Sequence, residues 1–439
     1  MLRFAPSPTG NLHIGNARVA VLNYFYAKSK NIDFFLRIDD TDKERSDEKY
    51  VTSIIEDLKW LGIKFKKIVK QSERHSSYKN VFNLLKRDGL IYPCFESSEE
   101  LALKRKILLK QGKPPIYDRE ALKLKKSEIS SLISSGNLPH WRLKLDEEPI
   151  LWTDEIHGEI KFDNLSISDP VIFRSDELPL FTITSVVDDV ELNVSNILRG
   201  DDHITNTAAQ IKLFKYLGSE IPKFGHFPLM RTKTGLGLSK RFNSFSLKNL
   251  KSRKIFPIII MNYLNKIGSS SSLDEIDNIE KLIQRFDISL FSKNSVLFNE
   301  SDLERLNAKY LKELPFQKLK NTFEVKYDEN FWNIVKGNVD QLSEIDEWFN
   351  IIKLNHEQKI NVDTGLKKLM KDSLPEKIDK DSWSLWTKKI LSLTGIKPKD
   401  LFMKLRLILT GRKFGPSMNE ILTLFSREEI LRRLEANCE

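Results

Sequence analysis

The first forty residues alternate between two hydrophobic periods. Residues 3–5 are predicted to end a short strand, and two prolines and a glycine within residues 6–10 then interrupt any continued strand or early helix. Apolar positions recur at helical spacing over residues 14–28, and residues 31–38, NIDFFLRI, return to a strand pattern. This order predicts a strand, a tight loop, a helix and a second strand, as at the start of a βαβ unit.

The turn that precedes this helix has the composition of a phosphate site. The start of a helix directs free backbone N–H groups at a ligand, and His13 and Gly15 lie at that point. The glycine allows a flat ligand to approach closely, and the imidazole can donate to a phosphate oxygen. We therefore predict that this turn binds a nucleotide.

The pattern continues with alternating elements up to about residue 245. It predicts a helix at 47–63, a strand at 90–95, and a β meander over 139–164 that follows two charged helical stretches. Buried strands are expected over 168–190, followed by a strand, a turn and a helix over 197–218. Together these elements predict an open parallel sheet with its ligand at the carboxyl ends of the strands.

After about residue 245 the strand patterns stop and helical periodicity dominates. The C-terminal third is therefore predicted to be a helical bundle. A chain of 439 residues is too long for one core, and we divide it into five segments: 1–95, 96–180, 181–245, 246–320 and 321–439.

Composition adds constraints to this picture. The chain is 40% apolar and 30% charged, no apolar run has membrane-spanning length, and no leader precedes Arg3, so we expect a cytoplasmic globular protein. Its two cysteines, Cys94 and Cys438, are far apart and outside any metal-binding spacing, so neither a disulfide nor a zinc site is expected.

The net charge of +10 favours a polyanionic partner such as a nucleic acid. A lysine-rich composition would also follow from an AT-rich genome without any functional meaning. Charge alone leaves both explanations open.

Two motifs together indicate ATP. HIGN, residues 13–16, lies at the first strand–helix turn, and GLSKR, residues 237–241, lies within a loop rich in glycine and cations. When pyrophosphate is the leaving group, charge develops on the phosphates and must meet preorganised donors. A helix start and a lysine on a loop can supply them.

With these motifs the chain resembles the class I aminoacyl-tRNA synthetases and, within them, the glutamyl-tRNA synthetase family. The resemblance spans nearly the whole chain in the expected order, through RFAPSPTG, LHIGNAR, RIDDTDKERS, KQSER, SVVDD, ILRGDDHITNT, FGHFPLM, LSKR and the C-terminal LTGRKFGPSMNEILTLFSREEILRRLE. It implies an α/β, Rossmann-like catalytic domain of parallel strands with an inserted α+β acceptor-end-binding subdomain at 96–180. A helical stem-contact region and an all-α anticodon-binding domain would follow.

The resemblance also implies roles for individual residues. Arg3 and Arg199 match arginines that hold the side-chain carboxylate of glutamate, as a planar fork of donors suits a carboxylate. A structural ion pair of Arg199 with Asp201 or Asp202 is the alternative. The remaining matches are Ser7, Asp39 and Phe181 at the glutamate, His13, Gly15, Asn16, Ser239, Lys240 and Arg241 at ATP, and Asp202 and His203 near the substrate or ribose, with His13 and Lys240 as the catalytic pair.

Four positions depart from the family pattern. Asp39 stands where glutamate is common, Phe181 replaces a tyrosine, Asn16 replaces the second histidine of the first signature, and Gly237 replaces the first lysine of the second. Lys233 or Arg241 could supply the charge that Gly237 lacks, or Lys233 could merely solvate the turn. The zinc cysteines of some members are absent.

We therefore predict a monomeric, cytoplasmic glutamate–tRNA ligase that uses ATP and Mg²⁺ without zinc and acts on L-glutamate and tRNA(Glu). An enzyme that also charges tRNA(Gln), a glutaminyl-tRNA synthetase, and a non-catalytic RNA-binding paralogue are alternatives. A shorter relative that glutamylates a modified tRNA base is disfavoured by the helical C-terminal third.

Overall fold

A computed structural model describes residues 1–163, 166–232, 235, 245–353, 360 and 362–436. The chain divides into two compact units. The first comprises Met1–Leu250 and Ile260–Asn299, and the second comprises Lys251–Ile259 and Glu300–Glu439. In the described ranges no helix has both the length and the apolar character needed to cross a membrane.

The described strands are β1 Leu2–Phe4, β2 Phe34–Ile38, β3 Ile68–Lys70, β4 Ile91–Cys94, β5 His140–Leu143, β6 Ile150–Asp154, β7 Gly158–Phe162, β8 Val171–Phe173, β9 Asn196–Gly200, β10 Lys223–Phe227, β11 Met230–Arg231 and β12 Val296–Leu297. The first unit is organised around a seven-stranded sheet with the order β3-β2-β1-β9-β10-β6-β7. All neighbouring strands in this sheet are parallel except the β6–β7 pair. The chain runs outward from β1 to β2 and β3 on one side and continues with β9 on the other, so the sheet has a switch point between β1 and β9.

Helices connect these strands. They are α1 Ile14–Ser29, α2 Glu48–Trp60, α3 His75–Arg87, α4 Ser98–Lys110, α5 Lys126–Ser134, α6 Phe181–Glu191, α7 Ile204–Tyr216, α8 Leu247–Ser252, α9 Pro257–Lys266 and α10 Ile279–Gln284. Helix α1 is buried over most of its length, whereas α2 buries a single stripe that contains Val51, Ile54 and Leu58. The predicted strand–loop–helix–strand opening is confirmed.

A second, three-stranded antiparallel sheet has the order β4-β5-β8. The predicted meander over 139–164 is therefore wrong, because β5 belongs to this sheet whereas the β6–β7 hairpin extends the parallel one. A period of two residues defines which side chains share a face, but it does not define which strand pairs with which.

The buried-strand interpretation of residues 168–190 is correct only for β8. Residues 181–191 form helix α6. Their β-branched residues favour a strand locally, but Ile183, Val186 and Val187 follow helical spacing, and the buried polar residues of the same helix find charged partners. A further correction is the short strand β12, which pairs in parallel with β11 beyond residue 245.

The described elements of the second unit beyond residue 299 are helical, as predicted. They are α11 Glu300–Glu313, α12 Phe316–Thr322, α13 Glu329–Val335, α14 Leu342–Lys353, α15 Thr364–Asp372, α16 Ser382–Thr394, α17 Pro398–Thr410, α18 Met418–Ile421 and α19 Arg427–Ala436, with short 3₁₀ turns between some of them. Helices α16 and α17 end at Gly395 and Gly411, whose φ angles of 63° and 66° lie in the left-handed region that glycine favours. Trp332 and Trp386 are fully buried, and each indole N–H donates to a backbone carbonyl.

Candidate active site

A cavity of about 690 Å³ opens at the carboxyl ends of β1, β2 and β9, beside the switch point of the sheet. Its lining includes ten residues that the sequence analysis selected: Arg3, Ser7, His13, Gly15, Asn16, Asp39, Phe181, Arg199, Asp202 and His203. The other selected residues, Ser239, Lys240 and Arg241, together with Lys233 and Gly237, lie outside the described residues. A crevice at a switch point is where parallel α/β sheets bind ligands.

His13 caps the helix that faces this cavity. Its Nδ1 accepts the backbone N–H groups of Gly15 at 3.1 Å and Asn16 at 3.3 Å, while the N–H of Ile14 donates to the carbonyl of Phe245 at 2.8 Å. The prediction of free backbone N–H groups at this turn is therefore wrong, because the first three of the helix are already bonded. Since Nδ1 is an acceptor, the hydrogen of the neutral ring lies on Nε2, and burial lowers the pKa of His13.

A buried network of charges forms one side of the cavity. Arg3 donates to both carboxylate oxygens of Asp189, at 2.9 and 3.2 Å. Arg37 donates to both oxygens of Asp39, at 2.7 and 3.0 Å, and to Asp189 at 2.9 Å. Asp188 in turn receives hydrogen bonds from Gln71, Arg74 and Tyr78. Burial raises the pKa of Asp39 despite the opposing effect of Arg37.

Arg199 has a different environment from Arg3. Its Nη2 donates to Thr207 Oγ1 at 2.5 Å and to Gln210 Oε1 at 2.6 Å, and its Nε donates to His226 Nε2 at 3.4 Å. Nη1 is buried and has no hydrogen-bond partner in the described structure. Among the contacts described, neither Asp201 nor Asp202 forms a hydrogen bond or an ion pair with Arg199. The alternative predicted from the sequence, a structural ion pair between Arg199 and one of these aspartates, is therefore not observed.

An unpaired donor on a buried guanidinium is costly unless a ligand completes it. Burial lowers the pKa of Arg199 to about 9, with repulsion from Arg3 adding to the effect. Arg199 thus combines a buried unpaired donor with a positive charge at the wall of the cavity.

His203 and Phe181 form a third part of the wall. Their rings lie 5.2 Å apart between centroids, and the imidazole is 3.9 Å from a carboxylate oxygen of Asp202. Burial, followed by repulsion from Arg199, lowers the pKa of His203 to about 4. The ring is therefore neutral at pH 7.

The low pKa of His203 predicts a loss of stability in mild acid. An unfolded histidine binds its proton near pH 6.5, whereas folded His203 does so only near pH 4, so the unfolded state binds more protons between these values. The free energy of unfolding should consequently fall as the pH is lowered from 6.5 to 4. Urea unfolding at several pH values measures this, and His203→Gln should flatten the dependence; an unchanged slope in that variant would contradict the assignment.

Several residues of the site lie within sequence motifs but have no role predicted from the sequence. Arg37 lies in RIDDTD, Asp189 in SVVDD, Thr207 in ILRGDDHITNT and His226 in FGHFPLM. Gln210, three residues after Thr207, lies beyond the quoted motif. A signal existed for Arg37, since an arginine inside an apolar strand pattern needs a buried carboxylate.

A possible group of metal ligands lies away from this cavity, near β4 and β5. One ligand atom each of Cys94, Glu96 and His140 lies within 4.8 Å of the others. Burial raises the pKa of the Cys94 thiol to about 11, and Tyr117 donates to Glu96 at 2.7 Å. The absence of zinc stays a prediction.

The comparisons with known proteins agree with this geometry. Residues 1–305 match the family model "tRNA synthetases class I (E and Q), catalytic domain", and residues 307–438 match "Anticodon binding domain". Glutamate–tRNA ligase 1 of Rickettsia prowazekii is 45% identical over 438 residues, 98% of either chain, and that of Wolbachia sp. subsp. Brugia malayi is 42% identical over 440 residues, 99% of either chain.

A solved structure supports the fold. The glutamate tRNA ligase of Elizabethkingia meningosepticum in complex with its amino acid has a TM-score of 0.84 at 23% identity, covering 99% of this chain and 98% of that one. The parallel sheet with its cavity and the helical anticodon domain are thus those of a class I aminoacyl-tRNA synthetase. Within that class the chain belongs to the glutamate–tRNA ligase family.

This family membership confirms several predictions made from the sequence: the fold class, the enzyme class, the attachment of glutamate to tRNA, and the use of ATP. The comparisons do not assign the roles of single residues, and the five-segment division stays a prediction.

Proposed function

We propose that the cavity of the first unit is where this ligase activates L-glutamate with ATP and transfers it to tRNA(Glu). The observation that carries the proposal is Nη1 of Arg199, a buried donor that faces no partner and belongs to a residue lining the cavity. A carboxylate is the ligand that such a donor prefers.

The glutamate would lie between the two arginines and the opening strands. Arg199 and Arg3 would hold its side-chain carboxylate, with Arg3 kept in place by Asp189. Ser7 and Asp39 would receive its α-amino group, and Asp39 is itself fixed by Arg37. Phe181 offers only an apolar ring, so the hydroxyl that relatives place there is missing from this pocket.

ATP would lie at the start of α1. His13 can donate its Nε2 hydrogen to a phosphate oxygen, because its Nδ1 is occupied by the backbone of Gly15 and Asn16. Gly15 would allow the nucleotide to lie close to the backbone, and Asn16 would contact the adenine or a phosphate. Ser239, Lys240 and Arg241 would complete the phosphate contacts, and Asp202 and His203 would lie near the ribose or the substrate.

Mg²⁺ would enter with the phosphates. Asp202 is a cavity carboxylate with a side chain that is 54% exposed, and an exposed carboxylate is an oxygen ligand that Mg²⁺ accepts directly or through water. The ion would neutralise negative charge on the triphosphate.

The reaction needs no nucleophile from the protein. A carboxylate oxygen of the glutamate α-carboxyl attacks the α-phosphorus of ATP, a new P–O bond forms, and pyrophosphate leaves. The terminal ribose hydroxyl of tRNA then attacks the activated carbonyl, loses its proton, and AMP leaves. The protein contributes positioning and stabilisation of charge.

The helical second unit would bind the anticodon of the tRNA, in accord with its match to an anticodon-binding family. The excess of basic residues over acidic ones, 71 against 61, suits contact with a phosphate backbone.

We further propose that the enzyme acts as a monomer in the cytoplasm.

Glutamate-dependent exchange of pyrophosphate into ATP, with tRNA(Glu) present, tests the proposal and the role of Lys240 together. Glutamate should support exchange and glutamine should not. Lys240→Ala should lower the rate roughly 10²- to 10³-fold, because one preorganised donor to the developing charge is lost. Lys233→Ala should cost less.

The matched control is Lys248→Ala, which removes an exposed lysine from α8 of the same unit. Its rate should stay within about twofold of the parent, as for an exposed substitution. A Lys240→Ala enzyme that exchanges as fast as this control would show that the loop is not catalytic.

A further inference from the structure

A line of buried polar groups lies behind Arg199. His226 Nδ1 is 2.5 Å from a carboxylate oxygen of Asp154, and both side chains are completely buried. On the other side of the ring, His226 Nε2 lies 2.8 Å from Thr207 Oγ1 and 3.4 Å from Arg199 Nε. Strands β6 and β10 and helix α7 thus each contribute a polar side chain behind the guanidinium of Arg199, which belongs to β9.

The hydrogen-bond roles along this line follow from Asp154. Its Oδ1 accepts the backbone N–H groups of Ile156 and His157 at 3.0 Å and of His226 at 3.2 Å, so it is held as a carboxylate and has no hydrogen to donate. The hydrogen between Asp154 and His226 must therefore belong to Nδ1 of the ring. Burial lowers the pKa of His226, so the ring is neutral at pH 7 and Nε2 is an acceptor.

This tautomer determines what Arg199 can do. With Nε2 as an acceptor, the Thr207 hydroxyl donates to it at 2.8 Å and Nε of Arg199 makes a longer contact of 3.4 Å, while Nη2 of Arg199 donates to the Thr207 oxygen and to Gln210. The guanidinium is thereby anchored through two of its three nitrogens, and Nη1 is left for the cavity. With the other tautomer an N–H would face the guanidinium, and the anchor at Nε would be lost.

We propose that Asp154 and His226 are positioning residues for Arg199. Asp154 fixes the tautomer of His226, and His226 together with Thr207 orients the guanidinium so that Nη1 meets the side-chain carboxylate of glutamate. Neither Asp154 nor His226 is part of the cavity lining. The inference rests on the proposed function of Arg199 and adds the residues that control it.

The test uses two pairs of variants in the full-length enzyme, in pyrophosphate exchange with tRNA(Glu) present. His226→Leu removes the acceptor, whereas His226→Gln keeps an amide oxygen near the position of Nε2. Thr207→Val removes the hydroxyl, whereas Thr207→Ser keeps it. Asp154 is not substituted, because its carboxylate also binds the turn that follows β6.

The KM for glutamate should rise roughly tenfold in His226→Leu and in Thr207→Val, as expected for a lost hydrogen bond to a charged group. His226→Gln and Thr207→Ser should recover most of that loss. The KM for ATP and the kcat at saturating glutamate should change by less than about threefold, since a general loss of structure would move all three parameters.

A glutamate KM that stays at the parental value in His226→Leu overturns the proposal, and so does an equal rise in the KM values for glutamate and ATP. If His226→Leu does not fold, His226→Asn, which keeps an amide donor near Nδ1 for Asp154 but removes the acceptor at Nε2, decides by the same criterion. Arg199→Ala is measured alongside. If it alone raises the KM, the positioning role is wrong and the proposed function stands; if it leaves the KM unchanged, the proposed function fails and this inference with it.

Discussion

Replacing Arg199 by alanine should raise the KM for glutamate by about 30-fold to several thousand-fold, the equivalent of about 2 to 5 kcal/mol. The side-chain carboxylate would then enter the cavity without the buried donor that Nη1 supplies. Arg3 alone cannot replace it, because its Nε and Nη2 are committed to Asp189. The KM for ATP and the affinity for tRNA should stay near the parental values.

The glutamate dependence of pyrophosphate exchange measures this effect. Arg174→Ala is the matched control, since it removes an arginine of the same unit whose side chain is 58% exposed and only weakly paired with Asp176. Arg199→Lys should recover little, because a point charge does not reproduce the fork of donors that Thr207 and Gln210 orient. An Arg199→Ala enzyme with the KM of the Arg174→Ala control would exclude Arg199 from the glutamate site.

The second large effect concerns stability. Arg37→Met should lower the free energy of unfolding of the first unit by about 3 to 5 kcal/mol, because Asp39 loses its buried partner and Asp189 keeps only Arg3. Arg37 is fully buried, so water cannot replace the lost hydrogen bonds. Calorimetry should show the loss in the transition of the first unit.

Arg45→Ala provides the contrast. Its ion pair with Asp42 is at the surface, with the arginine side chain 76% exposed, so its loss should cost at most about 1 kcal/mol. If Arg37→Met unfolds at the same temperature as Arg45→Ala, the buried network does not stabilise the unit.

The local part of the fold was predictable from the sequence. The prolines and the glycine before α1, the helical period within it and the apolar strand after it act over a few residues, and the structure follows them. The predictions that were wrong concern elements whose structure depends on residues far away in the sequence. Helix α6 contains a β-branched run that resembles a strand, and its identity depends on Arg37 and Arg74, which lie more than a hundred residues earlier.

The residues of the cavity likewise separate into those that local sequence motifs predict and those that depend on distant parts of the chain. Motifs selected its lining, because family signatures keep the residues that touch substrates together in short stretches. The residues behind the lining, such as His226 and Asp154, are separated by 72 positions, and no local pattern links them. The capping of α1 by His13 was also hidden, since a histidine before a helix is consistent either with a cap or with a free side chain.

The most direct test of the central claim is a crystal structure of the enzyme grown with L-glutamate. The side-chain carboxylate should lie within hydrogen-bond distance, about 2.7 to 2.9 Å, of Nη1 of Arg199, with the α-amino group toward Ser7 and Asp39. Glutamate bound in the opposite orientation, with its α-carboxylate on Arg199, or bound outside the cavity, would contradict it.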